Sequence, residues 1–213
     1  MKDTKKRNIY KTPVVAMVTA FSNMVILNFL FIVTSLPIFT IGVSYSSMFS
    51  VIKEMEGQDI YVTKRYFAYF KEQFKQSTKC FLLPLGILFI LYFEFMMLYQ
   101  VNANVPSIIY VCLIIPFLFV LTYIPWLLLQ SSYFYCTFSQ QIKNGFLLMI
   151  RFVPQSILIM VLTALPFIAF AMWPAVFVFA WPVWLFMYFA SSTSWIYKAV
   201  RIPMKNLSKQ FEK

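Results

Sequence analysis

The chain has 213 residues, of which 61% are hydrophobic, 20% aromatic and only 12% charged, and its mean hydropathy is +0.75. Soluble domains have about a quarter of their residues charged, so this composition excludes an ordinary soluble globular protein. The formal net charge of +11 does not indicate nucleic-acid binding, because basic residues beside apolar segments are typical of the cytoplasmic ends of membrane helices. Since the apolar segments are long and lack the alternation of barrel strands, the sequence predicts an all-α, polytopic helical membrane protein.

A basic N-terminal segment (residues 1–12) precedes a predicted helical hairpin over residues 13–55. Its apolar stretch is interrupted by SLPIFTIG at residues 35–42, where Pro37 lacks an amide hydrogen and Gly42 permits backbone conformations that other residues avoid. Basic residues flank the stretch at both ends, and the positive-inside rule places both flanks in the cytoplasm. This favours a hairpin over the alternative of one long, kinked crossing. The serine-rich return arm is expected to face other helices, or to form a re-entrant element that protein shields from lipid.

The rest of the chain divides by the positions of its basic residues, because all 18 of them fall in four segments that the positive-inside rule assigns to the cytoplasm. We therefore expect a single integral membrane domain over residues 1–213, with about six membrane segments and both termini cytoplasmic. After the hairpin, the predicted order is a cytoplasmic amphipathic segment (56–79), two crossings (80–130), a second cytoplasmic amphipathic segment (131–154), two crossings (155–197) and a basic cytoplasmic tail (198–213).

One candidate interaction surface lies in YVTKRYFAYFKEQFKQST, residues 61–78, which are both basic and aromatic. Three of its phenylalanines recur at the spacing of one helix face. The candidate contact residues are Lys64, Arg65, Phe67, Phe70, Lys71, Phe74 and Lys75. Two interpretations stay open: an amphipathic helix that lies on the inner leaflet and contacts anionic lipids, or a docking surface for a cytoplasmic or membrane partner.

Glu94 is the only ionisable residue well inside a predicted crossing, about 9 Å from its outer end by helical rise. An unpaired charge in the bilayer is costly, so such a carboxyl indicates either a transport role or structural pairing with a neighbouring helix or interfacial water. A proton relay needs a second ionisable group, and a lone carboxyl makes a poor one. The sequence therefore favours structural pairing over a relay.

The residue types present argue against an enzyme. The chain has no histidine and only four glycines, and it contains no HExxH motif, P-loop or glycine-rich nucleotide fingerprint. Its three cysteines, Cys80, Cys112 and Cys136, are widely spaced, and no pair has the spacing of metal ligands. We therefore expect no catalytic residues, no cofactor and no bound metal.

Several motifs in the first 80 residues resemble a known family. SLPIFTIG lies within the apolar residues 28–49, and GQD at 57–59 and FKEQFKQST at 70–78 follow it. These motifs resemble the YesL-like family of small bacterial membrane proteins, which is classed as a domain of unknown function. The chain departs from the family pattern after the glycine of the turn, where Val43 and Ser44 stand. The motif residues singled out are Asn28, Ser35, Pro37, Thr40, Gly42 and Gly57.

The resemblance implies a multi-pass protein of the bacterial plasma membrane, mostly in Gram-positive bacteria, that associates with carbohydrate ABC importers. The expected function is a non-catalytic accessory membrane subunit that supports the assembly, stability or regulation of oligosaccharide import. Its expected partners are the permease subunits of the importer, with the ATPase as a further one, and anionic lipids. The alternative is a stand-alone small transporter or channel, or a membrane sensor. The broken helix at SLPIFTIG favours transport, whereas the scarcity of polar residues near the midplane argues against it.

Overall fold

The computed structural model describes residues 13–56, 60–100, 106–134, 136–175 and 187–211, and these residues form helices and connecting turns without strands. The all-α prediction is therefore confirmed. The predictions for the basic N-terminal segment and for Gly57 lie outside the described residues, as does much of the last predicted crossing. The main helices are α1 (Pro13–Ser35), α2 (Ile41–Met55), α3 (Val62–Gln100), α4 (Ser107–Leu129), α5 (Phe138–Arg151), α6 (Val153–Met172) and α7 (Phe189–Phe211).

Within the described residues, three helical stretches are long and apolar enough to cross a membrane: Met17–Ser35, Val62–Leu98 and Ile108–Ser132. A fourth candidate is the pair Phe138–Arg151 and Val153–Pro166, which is bent by 102°. These stretches support a helical membrane protein. The count of about six segments and the cytoplasmic position of both termini stay predictions.

Helix α2 lies at the centre of the bundle. It has 15 residues, so its length is about 22 Å, less than the hydrocarbon core of a bilayer. Ten of these residues are buried, and the helix packs against α1, α3, α4 and α7. Its buried serines thus face protein, as expected for the return arm of the hairpin.

The turn between α1 and α2 supplies hydrogen-bond donors to its own backbone carbonyl groups. Helix α1 ends at Ser35, Pro37 has an extended backbone, and Ile38–Thr40 form a single 3₁₀ turn. The Thr40 hydroxyl lies 2.6 Å from the carbonyl oxygens of both Thr34 and Pro37, and the Thr40 amide donates to the Pro37 carbonyl at 2.9 Å. These contacts satisfy carbonyl groups that the end of a helix leaves without partners.

Helix α3 includes most of the predicted cytoplasmic segment (56–79) and the start of the crossing predicted from residue 80, and the boundary between the two stays a prediction. The structure has one continuous helix of 39 residues, about 58 Å long, with Pro84 inside it. Helix α7 likewise runs through the predicted boundary between residues 197 and 198. The positive-inside rule predicts where charge meets the bilayer, not where a helix ends, and no residue near either boundary stops a helix.

The first part of α3 is held against α2 and does not stand apart as a surface helix. Its inner face consists of the buried residues Val62, Tyr66, Gln73, Ser77 and Cys80. The Tyr66 hydroxyl contacts the Thr34 hydroxyl at 2.7 Å, so this face also contacts the end of α1. The opposite face of α3 is exposed along its length.

Candidate functional site

A cluster of buried serines joins α2 to its neighbours. The Ser46 hydroxyl donates to the Leu128 carbonyl of α4 at 3.0 Å, and the Ser77 hydroxyl of α3 donates to Ser46 at 3.1 Å. Ser131, in the short turn after α4, lies 3.4 Å from Ser77 through their hydroxyl oxygens. Serine side chains of α2 and α3 thus contact the C-terminal end of α4 across an otherwise apolar core.

Glutamines extend this cluster to α5. The Gln141 amide nitrogen donates to the Leu127 carbonyl at 2.9 Å and to the Ser131 hydroxyl at 3.0 Å. The Gln141 amide oxygen accepts a bond from Gln76 at 2.7 Å, and Gln76 also donates to the Cys136 carbonyl at 2.5 Å. Gln141 is fully buried, so these bonds fix the α4–α5 connection against α3. Sequence reasoning did not single out Gln141, because nothing in the local pattern shows that residues 76 and 141 meet.

A cavity of about 370 Å³ lies beside the cluster. The last turns of α2, the first turns of α3 and the connection after α4 form its walls. Its polar wall includes Ser50 and Gln73, whose amide nitrogen donates to the Ser50 hydroxyl at 3.0 Å. The Gln73 amide oxygen is buried and has no hydrogen-bond partner. A buried acceptor without a donor is costly, so this wall has unused hydrogen-bonding capacity.

Lys53 contributes a partly buried cation to the cavity. Its ammonium donates to the Ser132 carbonyl and lies 3.9 Å from the centroid of the Tyr133 ring. Burial lowers the pKa of Lys53 from its ordinary value, because the charged form loses water. Lys53 takes part in neither the Glu54–Arg65 nor the Glu56–Arg201 ion pair.

Glu54 and Arg65 form a bidentate ion pair on another wall of the cavity. The Arg65 Nε and Nη2 atoms donate to the two Glu54 carboxylate oxygens at 2.7 and 2.5 Å, and the Tyr69 hydroxyl donates to the same carboxylate at 3.1 Å. The hydrogen bonds from Arg65 hold the pKa of the Glu54 carboxyl below its ordinary value. This pair joins the end of α2 to the start of α3. Arg65, a predicted partner-contact residue, therefore also has a partner within the chain.

The remaining predicted contact residues come together on the exposed side of α3. Phe67 and Phe74 are 42% and 36% exposed, and Phe70 is half-buried between them, with its ring centroid 5.6 Å from that of Phe74. These three phenylalanines line a shallow groove of about 490 Å³ together with Lys71 and Lys75. Phe67, Phe70, Lys71, Phe74 and Lys75 are called the aromatic surface of α3 below. The exposed Lys64 lies one turn before it on the same helix.

The motif residues of the first helices pack in the fold and do not form one site. Asn28 is fully buried, and its side-chain oxygen accepts a bond from the Ala190 amide of α7 at 2.9 Å. Gly42 lies so close to α3 that an added Cβ atom would be 2.4 Å from the Phe81 Cβ. Thr40 and Pro37 form the turn, and the Ser35 hydroxyl is buried without a hydrogen-bond partner.

Glu94 lies far along α3 from these sites. Its side chain is exposed between Phe93 and Phe95, whose side chains are also exposed. Glu94 belongs to neither the Glu54–Arg65 nor the Glu56–Arg201 ion pair. The expected structural pairing of Glu94 therefore stays a prediction.

Comparison with known proteins gives one match. The sequence profile of a family described as "Protein of unknown function, DUF624" matches residues 24–95, from α1 through most of α3. No curated protein and no solved structure matches the chain. The matched residues cover about a third of the chain and include Asn28, the turn, Lys53 and the aromatic surface of α3. Over these residues the chain is similar to the DUF624 family, which supports its resemblance to the YesL-like proteins.

Proposed function

We propose that the protein is a non-catalytic accessory membrane subunit of a carbohydrate ABC importer in the bacterial plasma membrane, with both termini in the cytoplasm. It binds the permease subunits and supports the assembly, stability or regulation of transport. The family resemblance supports the importer association. The similarity over residues 24–95 covers the helices that carry the candidate docking surface.

The observation that carries this proposal is the aromatic surface of α3. Exposed aromatic side chains grouped on one face are typical of protein interfaces, where they contribute a large part of the binding energy. The face is presented rigidly, because the opposite side of the same helix is buried through Tyr66 and Gln73. Lys71 and Lys75 border the phenylalanines, as expected for contacts with acidic or polar groups of a partner.

Anionic lipids are the second proposed partner. Lys64, Lys71 and Lys75 are exposed near the start of α3, where the positive-inside rule places the inner leaflet. Basic residues at that surface are each worth about 1 kcal/mol of attraction to anionic lipid. These lysines would hold the aromatic surface at the level of the headgroups, where permease subunits are also anchored.

The test is affinity purification of the tagged full-length chain from its native membranes in mild detergent, followed by mass spectrometry. We expect two permease subunits and an ATPase in stoichiometric yield. The variant F67A/F74A should lower that yield at least about tenfold, the loss expected for about 1.4 kcal/mol at an interface. Phe138→Ala is the matched control, because Phe138 is 46% exposed but lies on α5 and does not line the groove. A lone, monodisperse protein, or equal yields from the variant, would contradict the proposal.

Stand-alone transport is the second candidate function, and the polar cavity beside the buried serine cluster favours it. A flux assay on the purified chain in liposomes tests it. Flux that Glu94→Ala abolishes would support transport through a path that includes this carboxyl. Absence of flux in the same liposomes, with copurifying permease subunits, would support the accessory role.

A further inference from the structure

The cavity beside the serine cluster has a charge arrangement that the accessory role does not use. Lys53 and Arg65 line it as cations, and Glu54 and Glu72 line it as carboxylates. Arg65 and Glu54 neutralise each other through their bidentate contact at 2.7 and 2.5 Å. Since the lining carries equal numbers of positive and negative groups, it suits a ligand that has both signs of charge and no net charge.

The positive end of such a site is Lys53. Its ammonium is partly removed from water and has the Ser132 carbonyl and the Tyr133 ring as neighbours, both uncharged. A desolvated ammonium with neutral neighbours is costly, and an incoming anionic group would offset that cost. Ser131 and Ser132 lie on the same wall, where the Ser132 hydroxyl donates to the Leu129 carbonyl at 2.7 Å and the Ser131 hydroxyl accepts a bond from Gln141 at 3.0 Å.

The acceptor end of the site is formed by Gln73 and Glu72. Gln73 is 8% exposed, and its amide oxygen has no hydrogen-bond partner. Its amide orientation is set from the other end, because its nitrogen donates to Ser50, whose hydroxyl in turn donates to the Ser46 carbonyl at 2.9 Å. An N–H donor in the cavity would satisfy the free oxygen, and the Glu72 carboxylate lines the same space.

The size and the remaining walls limit the ligand to a small molecule. A cavity of about 370 Å³ lies at the lower end of the range of small-molecule sites, about 300–1,000 Å³. Tyr69, Tyr133 and Phe134 supply aromatic walls, which suit an ammonium group and short apolar stems.

We propose that this cavity binds a small zwitterion, a molecule that carries a primary ammonium and a phosphate or carboxylate group. Lys53 binds the anionic group, and Gln73 and Glu72 accept hydrogen bonds from the ammonium. The same chemistry occurs in free small molecules and in the ethanolamine headgroup of a phospholipid. Occupancy would connect α2, α3 and the α4–α5 connection, the three parts that form the cavity walls.

Isothermal titration calorimetry on the purified full-length chain tests this directly. The probes are phosphoethanolamine and L-serine as zwitterions, and inorganic phosphate and ethanolamine as the two separate halves. At least one zwitterion should bind at least about tenfold more tightly than either half, because only the zwitterion engages both ends of the site. Absence of binding by both zwitterions up to about 10 mM would overturn the proposal.

Substitutions locate the site. Lys53→Met and Glu72→Gln should each weaken binding of the zwitterion at least tenfold, and Glu72→Gln should leave the weak binding of inorganic phosphate unchanged. Lys75→Met is the matched control, because Lys75 lies on the same helix outside the cavity. If Lys53→Met fails to fold, the exposed position of Glu72 keeps the test available through Glu72→Gln. Unchanged binding by Glu72→Gln would overturn the proposed site.

The two sources of the ligand are distinguished in nanodiscs with and without phosphatidylethanolamine. A headgroup in the cavity would compete, so added phosphoethanolamine would bind several-fold more weakly in discs that contain this lipid. Equal binding in both kinds of disc would assign the site to a free small molecule. The F67A/F74A variant should bind the zwitterion normally, which separates this site from partner docking.

Discussion

The side-chain oxygen of Asn28 accepts a hydrogen bond from the backbone amide of Ala190 at 2.9 Å, across 162 positions of sequence. Both residues are fully buried. Ala190 lies at the start of α7, directly after the π-helical residues Met187 and Tyr188, so the Asn28 side chain ties α1 to the start of α7. This bond joins α1 to α7, beside the contact between the rings of Phe31 and Phe189, and gives Asn28 a structural role.

Replacing Asn28 by alanine should therefore destabilise the protein by about 1–3 kcal/mol, because a buried amide loses its acceptor. The measurement is thermal unfolding in detergent by circular dichroism. Asn23→Ala is the matched control, since Asn23 lies on the same helix and is only partly buried. Equal midpoints for the two variants would contradict this role of Asn28.

The class of the protein and the break in its first apolar stretch were predictable because their signals are local. Hydropathy identifies apolar helices, and the proline and glycine of SLPIFTIG mark the interruption. The orientation of the α2 serines also followed from the sequence, since polar side chains in such a stretch must face protein.

The cavity and the buried polar cluster were not predictable, because they depend on contacts between distant parts of the chain. Lys53 meets Tyr133, and Gln76 meets Gln141. A single sequence records neither pairing, and each residue by itself fits an ordinary amphipathic helix. The continuity of α3 through residues 79 and 80 was not predictable either, because the positions of charges indicate where a chain meets the bilayer and not where a helix ends.

The close packing of α3 against Gly42 predicts a second effect on stability. A Cβ at this position would lie 2.4 Å from the Phe81 Cβ and 2.9 Å from the Ser77 carbonyl oxygen, so Gly42→Ala must push α2 and α3 apart. Overpacking of this kind costs about 1–3 kcal/mol, which should lower the unfolding midpoint. Gly86→Ala is the control, for which we expect a change in stability of the opposite sign. Gly86 lies inside α3 with open space around it, so alanine should stabilise that helix by up to about 1 kcal/mol.

The Glu54–Arg65 pair predicts a pH dependence of stability. Because Arg65 lowers the pKa of Glu54 in the folded state, the pair stabilises the fold above the ordinary carboxyl pKa of about 4.3. That contribution is lost as the pH falls from this value through the lower pKa of the folded state. The difference in unfolding midpoint between wild type and Glu54→Gln should therefore be constant near neutral pH and shrink toward zero below about pH 4.

Two further variants check this assignment. Arg65→Gln removes the partner of the carboxylate, so its midpoint should converge with that of wild type over the same acidic range. Lys64→Gln removes an equal charge from the neighbouring exposed position and should lower stability little at any pH. A difference curve for Glu54→Gln that stays flat down to pH 3 would show that the pair does not set this dependence.

Gln141 should be the most sensitive residue of the polar cluster. It is fully buried, its amide nitrogen donates to Leu127 and Ser131, and its amide oxygen accepts from Gln76. Gln141→Leu keeps a similar volume but removes the hydrogen-bond partner of these groups. The free energy of unfolding should therefore fall by about 1–3 kcal/mol. Lys143→Leu is the control, because Lys143 is exposed on the same helix. Hydrogen exchange should show faster exchange in α5 and in the turn at residues 130–132 for Gln141→Leu alone; unchanged exchange there would mean that apolar packing, and not this cluster, holds the α4–α5 connection.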